Sequence, residues 1–139
     1  MPGKLMQVHG ACHCGAISYE ATVDAERVTI CHCTDCQNLT GTAYRVTVPT
    51  DVGDFHLLSG EPRIYFKTAD SGNRRAHAFC ANCGSPMYAY AADGHPKTYG
   101  LRIGSIRERA ALTPRKRIWC RSALEWSTDL HGMTELERE

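Results

Sequence analysis

The sequence predicts a mostly β domain built from short strands and stapled by metal. Two observations lead there. Brief apolar or alternating runs are separated by glycine- and proline-rich connections, with 12 Gly and 6 Pro in 139 residues, and no long helical periodicity intervenes. Eight cysteines are present, seven of them in tight clusters, a density that means either a disulfide framework or metal sites. Close spacing without a secretory leader favours metal.

Composition narrows the function classes. The chain is long enough for one domain with a real core. Hydrophobic residues make up 42% and charged residues 22%, an ordinary globular balance. A net charge of +1 gives no global attraction to nucleic acid or acidic membranes. No apolar run approaches the roughly 18–20 residues of a bilayer span. Residues 1–10 carry no apolar leader, so a cytoplasmic location is expected. No GxGxxG or GxxxxGK[ST] stretch sits in a nucleotide-binding context.

In chain order, residues 1–10 read as a loose lead-in. Ile17 and Tyr19 alternate with polar neighbours, predicting a strand just after the Cys12–Cys14 turn. Val28 and Ile30 predict a second strand running into Cys31. Residues 34–41, TDCQNLTG, read as one helical turn closed by Gly41. Strands are expected over 43–48, 63–67, 76–79, 86–91, 98–103 and 116–119. A short apolar piece lies at Phe55, Leu57 and Leu58, and ADSGN at 69–73 is a turn. SIRERAAL at 105–112 predicts a short helix stopped by Pro114. A polar tail is expected over 130–139.

Seven clustered cysteines divide into four and three. Cys12, Cys14, Cys80 and Cys83 can close an all-thiolate site, the pattern of a structural zinc. Cys31, Cys33 and Cys36 then form a second site with a fourth position left for water or substrate, the layout of a catalytic zinc. The opposite pairing, Cys31 and Cys33 with Cys80 and Cys83, is also geometrically conceivable.

CHCGAISYE at 12–20, CHCTDCQNLTG at 31–41 and FCANCGSP at 79–86 resemble the glutathione-dependent formaldehyde-activating enzyme family, which includes the centromere protein V-like domains. FKTADSGN at 66–73 and IWCRSALEW at 118–126 extend the resemblance over nearly the whole chain. It implies an Mss4-like β-tent fold of short antiparallel sheets, with one zinc-binding domain over 11–129. It implies two zinc ions, Cys12, Cys14, Cys80 and Cys83 holding the structural one and Cys31, Cys33 and Cys36 the catalytic one. It also implies a carbon–sulfur lyase or thiol-adduct-forming activity resembling S-(hydroxymethyl)glutathione synthase, which joins formaldehyde and glutathione. The expected partner is a small thiol or carbonyl compound, with glutathione one candidate. A homodimer is compatible with the sequence. The competing class is a non-enzymatic zinc-stabilised module binding protein or nucleic acid.

Further candidates surround the second site. His32 has the intrinsic pKa of a general acid–base, although strand alternation turns it away from Cys31 and Cys33 toward an outer-layer or surface position. Asp35 and Gln37 can orient a ligand or simply cap the turn. Tyr44 and Phe66 are candidate pocket walls or core residues. Arg74 and Arg75, with Arg63, can make an anion-binding patch or be plain solvated charge. Arg115, Lys116 and Arg117 lie near Trp119 and Trp126, but the near-zero net charge argues against nucleic acid. Cys120 reads as a free thiol or as a fourth ligand that would close the second site.

Overall fold

A computed structural model describes residues 3–139. Ten strands and one α-helix follow in order: β1 (Leu5–Ala11), β2 (Ser18–Asp24), β3 (Thr29–Cys31), α1 (Thr34–Thr40), β4 (Arg45–Asp51), β5 (Phe55–Ser59), β6 (Arg63–Thr68), β7 (Arg74–Phe79), β8 (Pro86–Ala91), β9 (Thr98–Arg102) and β10 (Lys116–Ile118). They form a three-stranded sheet, β1-β2-β5, and a seven-stranded sheet, β10-β3-β4-β9-β8-β7-β6. Every pairing is antiparallel except β10 with β3. The chain is thus mostly β, with its cysteines at the sheet ends.

The core lies between the two sheets. On β2, Tyr19, Ala21 and Val23 are buried while their neighbours are half-exposed, the period-2 pattern of a strand with one wet face. The seven-stranded sheet answers with Val48, Ala78, Tyr88 and Leu101. Phe55 on β5 joins the layers, with ring centroids 5.1 Å from Tyr19, 4.9 Å from Tyr88 and 5.1 Å from Tyr99. Such tilted aromatic contacts add to the area they bury.

Three expectations need correction or comment. Residues 5–10 of the expected loose lead-in belong to β1, paired along its whole length with β2; Met1 and Pro2 lie outside the described residues. The strand is anchored by Val8, fully buried, and by Gly10, where a Cβ would stand 2.1 Å from the Tyr19 ring. Gly10 leaves the third inward position without a side chain, and exposed Leu5 and Ala11 blur the alternation that would have announced it. The helix expected at 105–112 is instead a pair of 3-10 turns, Ile103–Ser105 and Arg109–Ala111. Its polar groups serve β1: Arg107 N–H donates to the His9 carbonyl at 2.8 Å, and the Glu108 carboxylate accepts from His9 N–H at 2.8 Å. Residues 130–139 form no helix or strand and are exposed.

Candidate metal centres and the basic sheet face

Two loops of the same construction carry the first cysteine cluster. In each, the first cysteine's N–H donates to a carbonyl five residues on: Cys12 to Ile17 and Cys80 to Ser85, both at 3.0 Å. The third residue after Cys12 and the fourth after Cys80 are Gly15 (φ 82°) and Gly84 (φ 79°), conformations that side chains other than glycine rarely adopt. The loops are joined by the His13 N–H, which donates to Ser85 Oγ at 3.0 Å. They bring Cys12, Cys14, Cys80 and Cys83 together, with all four sulfurs within 4.8 Å of one another.

The second cluster is built at the start of α1. Cys33 is the N-cap, its sulfur accepting the Cys36 N–H at 3.3 Å. Gly41 ends the helix at φ 67°, its N–H donating to Gln37 and Asn38 carbonyls. The helix is longer than the single turn expected. Cys31 closes β3, so strand end and first helical turn converge three sulfurs, Cys31, Cys33 and Cys36, within 4.8 Å of one another. Cys120 is exposed and belongs to neither group.

The donor chemistry fits zinc. Tetrahedral coordination with Zn–S of about 2.3 Å places sulfurs about 3.8 Å apart. Cys14 Sγ lies 3.6 Å from Cys12 Sγ and 3.7 Å from Cys80 Sγ. Three of the seven thiols, Cys83, Cys14 and Cys31, are shifted toward the thiolate, while Cys80 and Cys36 are shifted away from it. Hydrogen bonding from Ser85 lowers the Cys83 thiol to about 5, and Asn82 lowers Cys14. Cys31 falls to about 5, chiefly through its hydrogen bond with Cys36 and with help from the Arg45 charge. Cys36 is pushed up by sharing that bond and by burial. Both groups can therefore hold a metal ion, one with four sulfurs and one with three.

Beside the sulfur trio the seven-stranded sheet turns a basic face away from the core. Register defines it. Arg45 pairs with Cys31, Thr47 with Arg102, His77 with Tyr65, and Arg75 with Lys67; paired residues share a face. Lys67 binds Asp35 of α1 at 2.8 Å, so α1 covers part of this face. Arg102 donates to Thr47 Oγ1 at 2.9 Å and contacts His77 Nδ1 at 3.4 Å. Burial, then the Arg102 and Arg45 charges, lowers His77 to about 3. Burial and Arg45 lower Arg102 to about 9.

Two cavities open here. One of about 490 Å³ is lined by Thr40, Thr42, Tyr44, Arg45, Ser85 and Arg102, among others. The other, about 250 Å³, includes Leu39, Arg45, Tyr65, His77, Pro86 and Arg102. Cysteine lines neither.

The other sequence candidates are dispersed by the fold. Tyr44 lines the larger cavity. Arg75 is half-buried on the basic face, whereas Phe66 and Arg74 lie on the opposite face of the β6–β7 pair, the Arg74 guanidinium 4.7 Å over the Phe66 ring. Of the expected arginine patch, Arg75 and the exposed Arg63 therefore share the basic face, and Arg74 does not. His32 is fully buried rather than at the surface. Its ring packs edge-on against Tyr44, centroids 5.4 Å apart, and neither ring nitrogen has a partner. It lines neither cavity. Gln37 is structural: Nε2 donates to the His32 carbonyl at 2.8 Å and the Ser122 carbonyl at 3.0 Å. Arg45, His77 and Arg102 escaped sequence reading. The available signal was weak: charged or polar residues inside strand segments otherwise apolar.

No helix among the described residues is long and apolar enough to cross a membrane. A crystal structure of a protein from Rhodobacter sphaeroides has a similar fold, with TM-score 0.59 and 18% identity, covering 78% of this chain and 98% of that one. The family model described as glutathione-dependent formaldehyde-activating enzyme matches residues 7–122. The two sulfur clusters and the sheets that hold them are those of a chain that belongs to the glutathione-dependent formaldehyde-activating enzyme family.

Proposed function

We propose that the protein is a zinc-dependent enzyme of carbon–sulfur chemistry that adds a thiol to a small aldehyde, or reverses that addition, at Cys31, Cys33 and Cys36. Formaldehyde and glutathione are the reactants that family membership suggests. The observation that carries the reading is the asymmetry between the clusters: four sulfurs at one, three at the other, with Cys120 outside both. Four thiolates complete a tetrahedron, and three leave one position for chemistry. Zinc, when bound, supplies Lewis acidity there.

In the forward direction sulfur bonds to the carbonyl carbon. The C=O π pair moves to oxygen, and the proton lost by the thiol ends on that oxygen. The reverse reaction breaks the C–S bond. The chain's own contribution is positional. The Cys33 cap fixes the first turn of α1, and Gln37 ties that turn to the segment after β10. Arg45, directly across from Cys31, offsets the negative charge of the sulfurs. The sheet wall and Tyr44 restrict approach. His32 contributes by packing against Tyr44.

The test is adduct formation from formaldehyde and glutathione, followed by NMR against the spontaneous rate. Acceleration by the zinc-loaded protein and its loss in Cys33→Ser are expected. Equal acceleration by Cys33→Ser, with the variant folded, would overturn the assignment.

A further inference from the structure

We propose that Trp119 is a positioning residue of the three-sulfur centre: its left-handed backbone folds residues 118–122 into a strap that locks His32, the link between Cys31 and Cys33. This rests on the preceding reading for the metal at the trio and not for the reaction there. Among the described residues, Trp119 is the one non-glycine with positive φ, 56°. Beside the cysteines, glycine takes that region, at Gly15, Gly41 and Gly84. A bulky side chain there is a strained exception, and such strain lasts only where surrounding contacts over-determine it. Core packing does not supply them. Trp119 is 47% exposed, with the Arg121 guanidinium over its ring at 5.6 Å.

The contacts lie in the backbone on either side. β10 ends at Ile118, which pairs with Cys31, and the Ile118 carbonyl accepts the His32 N–H at 3.0 Å. At Trp119 the chain leaves the strand for a 3-10 turn, Cys120–Ser122, in which the Ser122 N–H donates to the Trp119 carbonyl at 3.0 Å. That turn brings the Ser122 carbonyl to Gln37 Nε2 at 3.0 Å, and the same amide donates to the His32 carbonyl at 2.8 Å. Both backbone polar groups of His32 are thus held by the strap, the N–H directly and the carbonyl through Gln37. An extended backbone from 118 to 122 would span about 13 Å and carry Ser122 away from Gln37.

The trio depends on this link. Cys33 and Cys36 are placed relative to each other by the cap of α1. Cys31 belongs to β3, and its sulfur meets the other two chiefly through the backbone of His32. The trio has no fourth cysteine to make up for a misplaced one. Ligands fixed before the metal arrives spare the cost of ordering them.

Zinc release to a chromophoric chelator, read on the full chain carrying both zinc ions, tests the role with two backbone variants. Glycine adopts positive φ freely. Proline fixes φ near −65° and excludes the left-handed conformation, while Ile118 before it is already in a strand, as proline requires. Trp119→Gly should release zinc from the trio at close to the native rate. Trp119→Pro should release it about tenfold faster, the scale of one or two lost hydrogen bonds, with the four-sulfur centre unchanged. With cobalt in place of zinc, the d–d bands of the trio should shift in Trp119→Pro and match the native spectrum in Trp119→Gly. Native rates in Trp119→Pro would overturn the assignment. Release from Trp119→Gly as fast as from Trp119→Pro would give the role to the indole, and equal acceleration at both centres would mean general destabilisation; each overturns it too. If Trp119→Pro does not fold, amide exchange decides: the His32 N–H should be protected alike in native protein and Trp119→Gly, and protection absent from either overturns the strap. Zinc release needs no turnover, so a failed adduct assay with these rates as expected strikes the reaction and spares the strap.

Discussion

Gly10 shows how much one absent side chain can hold in place. A methyl group there would collide with the Tyr19 ring, which is itself fixed by a 2.7 Å hydrogen bond from its hydroxyl to Ser105. Overpacking of a tight core costs about 1–3 kcal/mol, occasionally more, so Gly10→Ala should lose about 3 kcal/mol in denaturant unfolding. A loss below about 0.5 kcal/mol, the range of an ordinary surface change, would mean β1 is not seated as described. His77 offers a second test at this scale. Its folded pKa lies near 3 because of burial and the surrounding cations, below the ordinary value near 6.5. The native state therefore prefers the neutral ring, and stability is complete above about pH 6.5 and lost as pH falls toward 3. The imidazole NMR signals of His77 should show no titration down to pH 5. A midpoint near 6.5 would contradict the buried basic face.

Among the elements, α1 and the two cysteine loops were the most legible from sequence. Their determinants are local: a cysteine cap, a glycine where φ is positive, ligands two or three residues apart. The lead-in was misread because Gly10 puts no side chain at an inward position and exposed Leu5 and Ala11 blur the alternation of β1, and only pairing with β2 reveals it. Likewise 105–112 has helical composition, but its polar groups are taken up by β1 across the fold. Gln37 marks the same limit, since no local pattern shows that its amide reaches Ser122. Removing it leaves the His32 and Ser122 carbonyls without that donor, so Gln37→Ala should cost about 1–2 kcal/mol. It should also speed zinc release to a chelator from the trio more than from the four-sulfur group. Unchanged release from the trio would show that the clamp does not support α1.

Across the whole molecule, the seven-stranded sheet divides two tasks between its faces. One face packs Val48, Tyr88 and Leu101 against the smaller sheet. The other gathers Arg45, His77, Arg102, Arg75 and Lys67 near the sulfur trio. No sequence window contains that second group. It is assembled by register across β4, β9, β7 and β6, which explains why the sequence pointed to Arg74 and Phe66, residues near in sequence but on the wrong face. The cysteines within each loop survive such uncertainty because their spacing is short, while which loops meet, and the walls around them, are a product of topology. Zinc per chain, measured by mass spectrometry on freshly purified native protein, Cys33→Ser and Cys120→Ser, tests the two-centre arrangement most directly. Two zinc ions in the native protein, one in Cys33→Ser and two in Cys120→Ser are expected. One zinc in Cys120→Ser, or two retained in Cys33→Ser, would contradict an open three-cysteine centre.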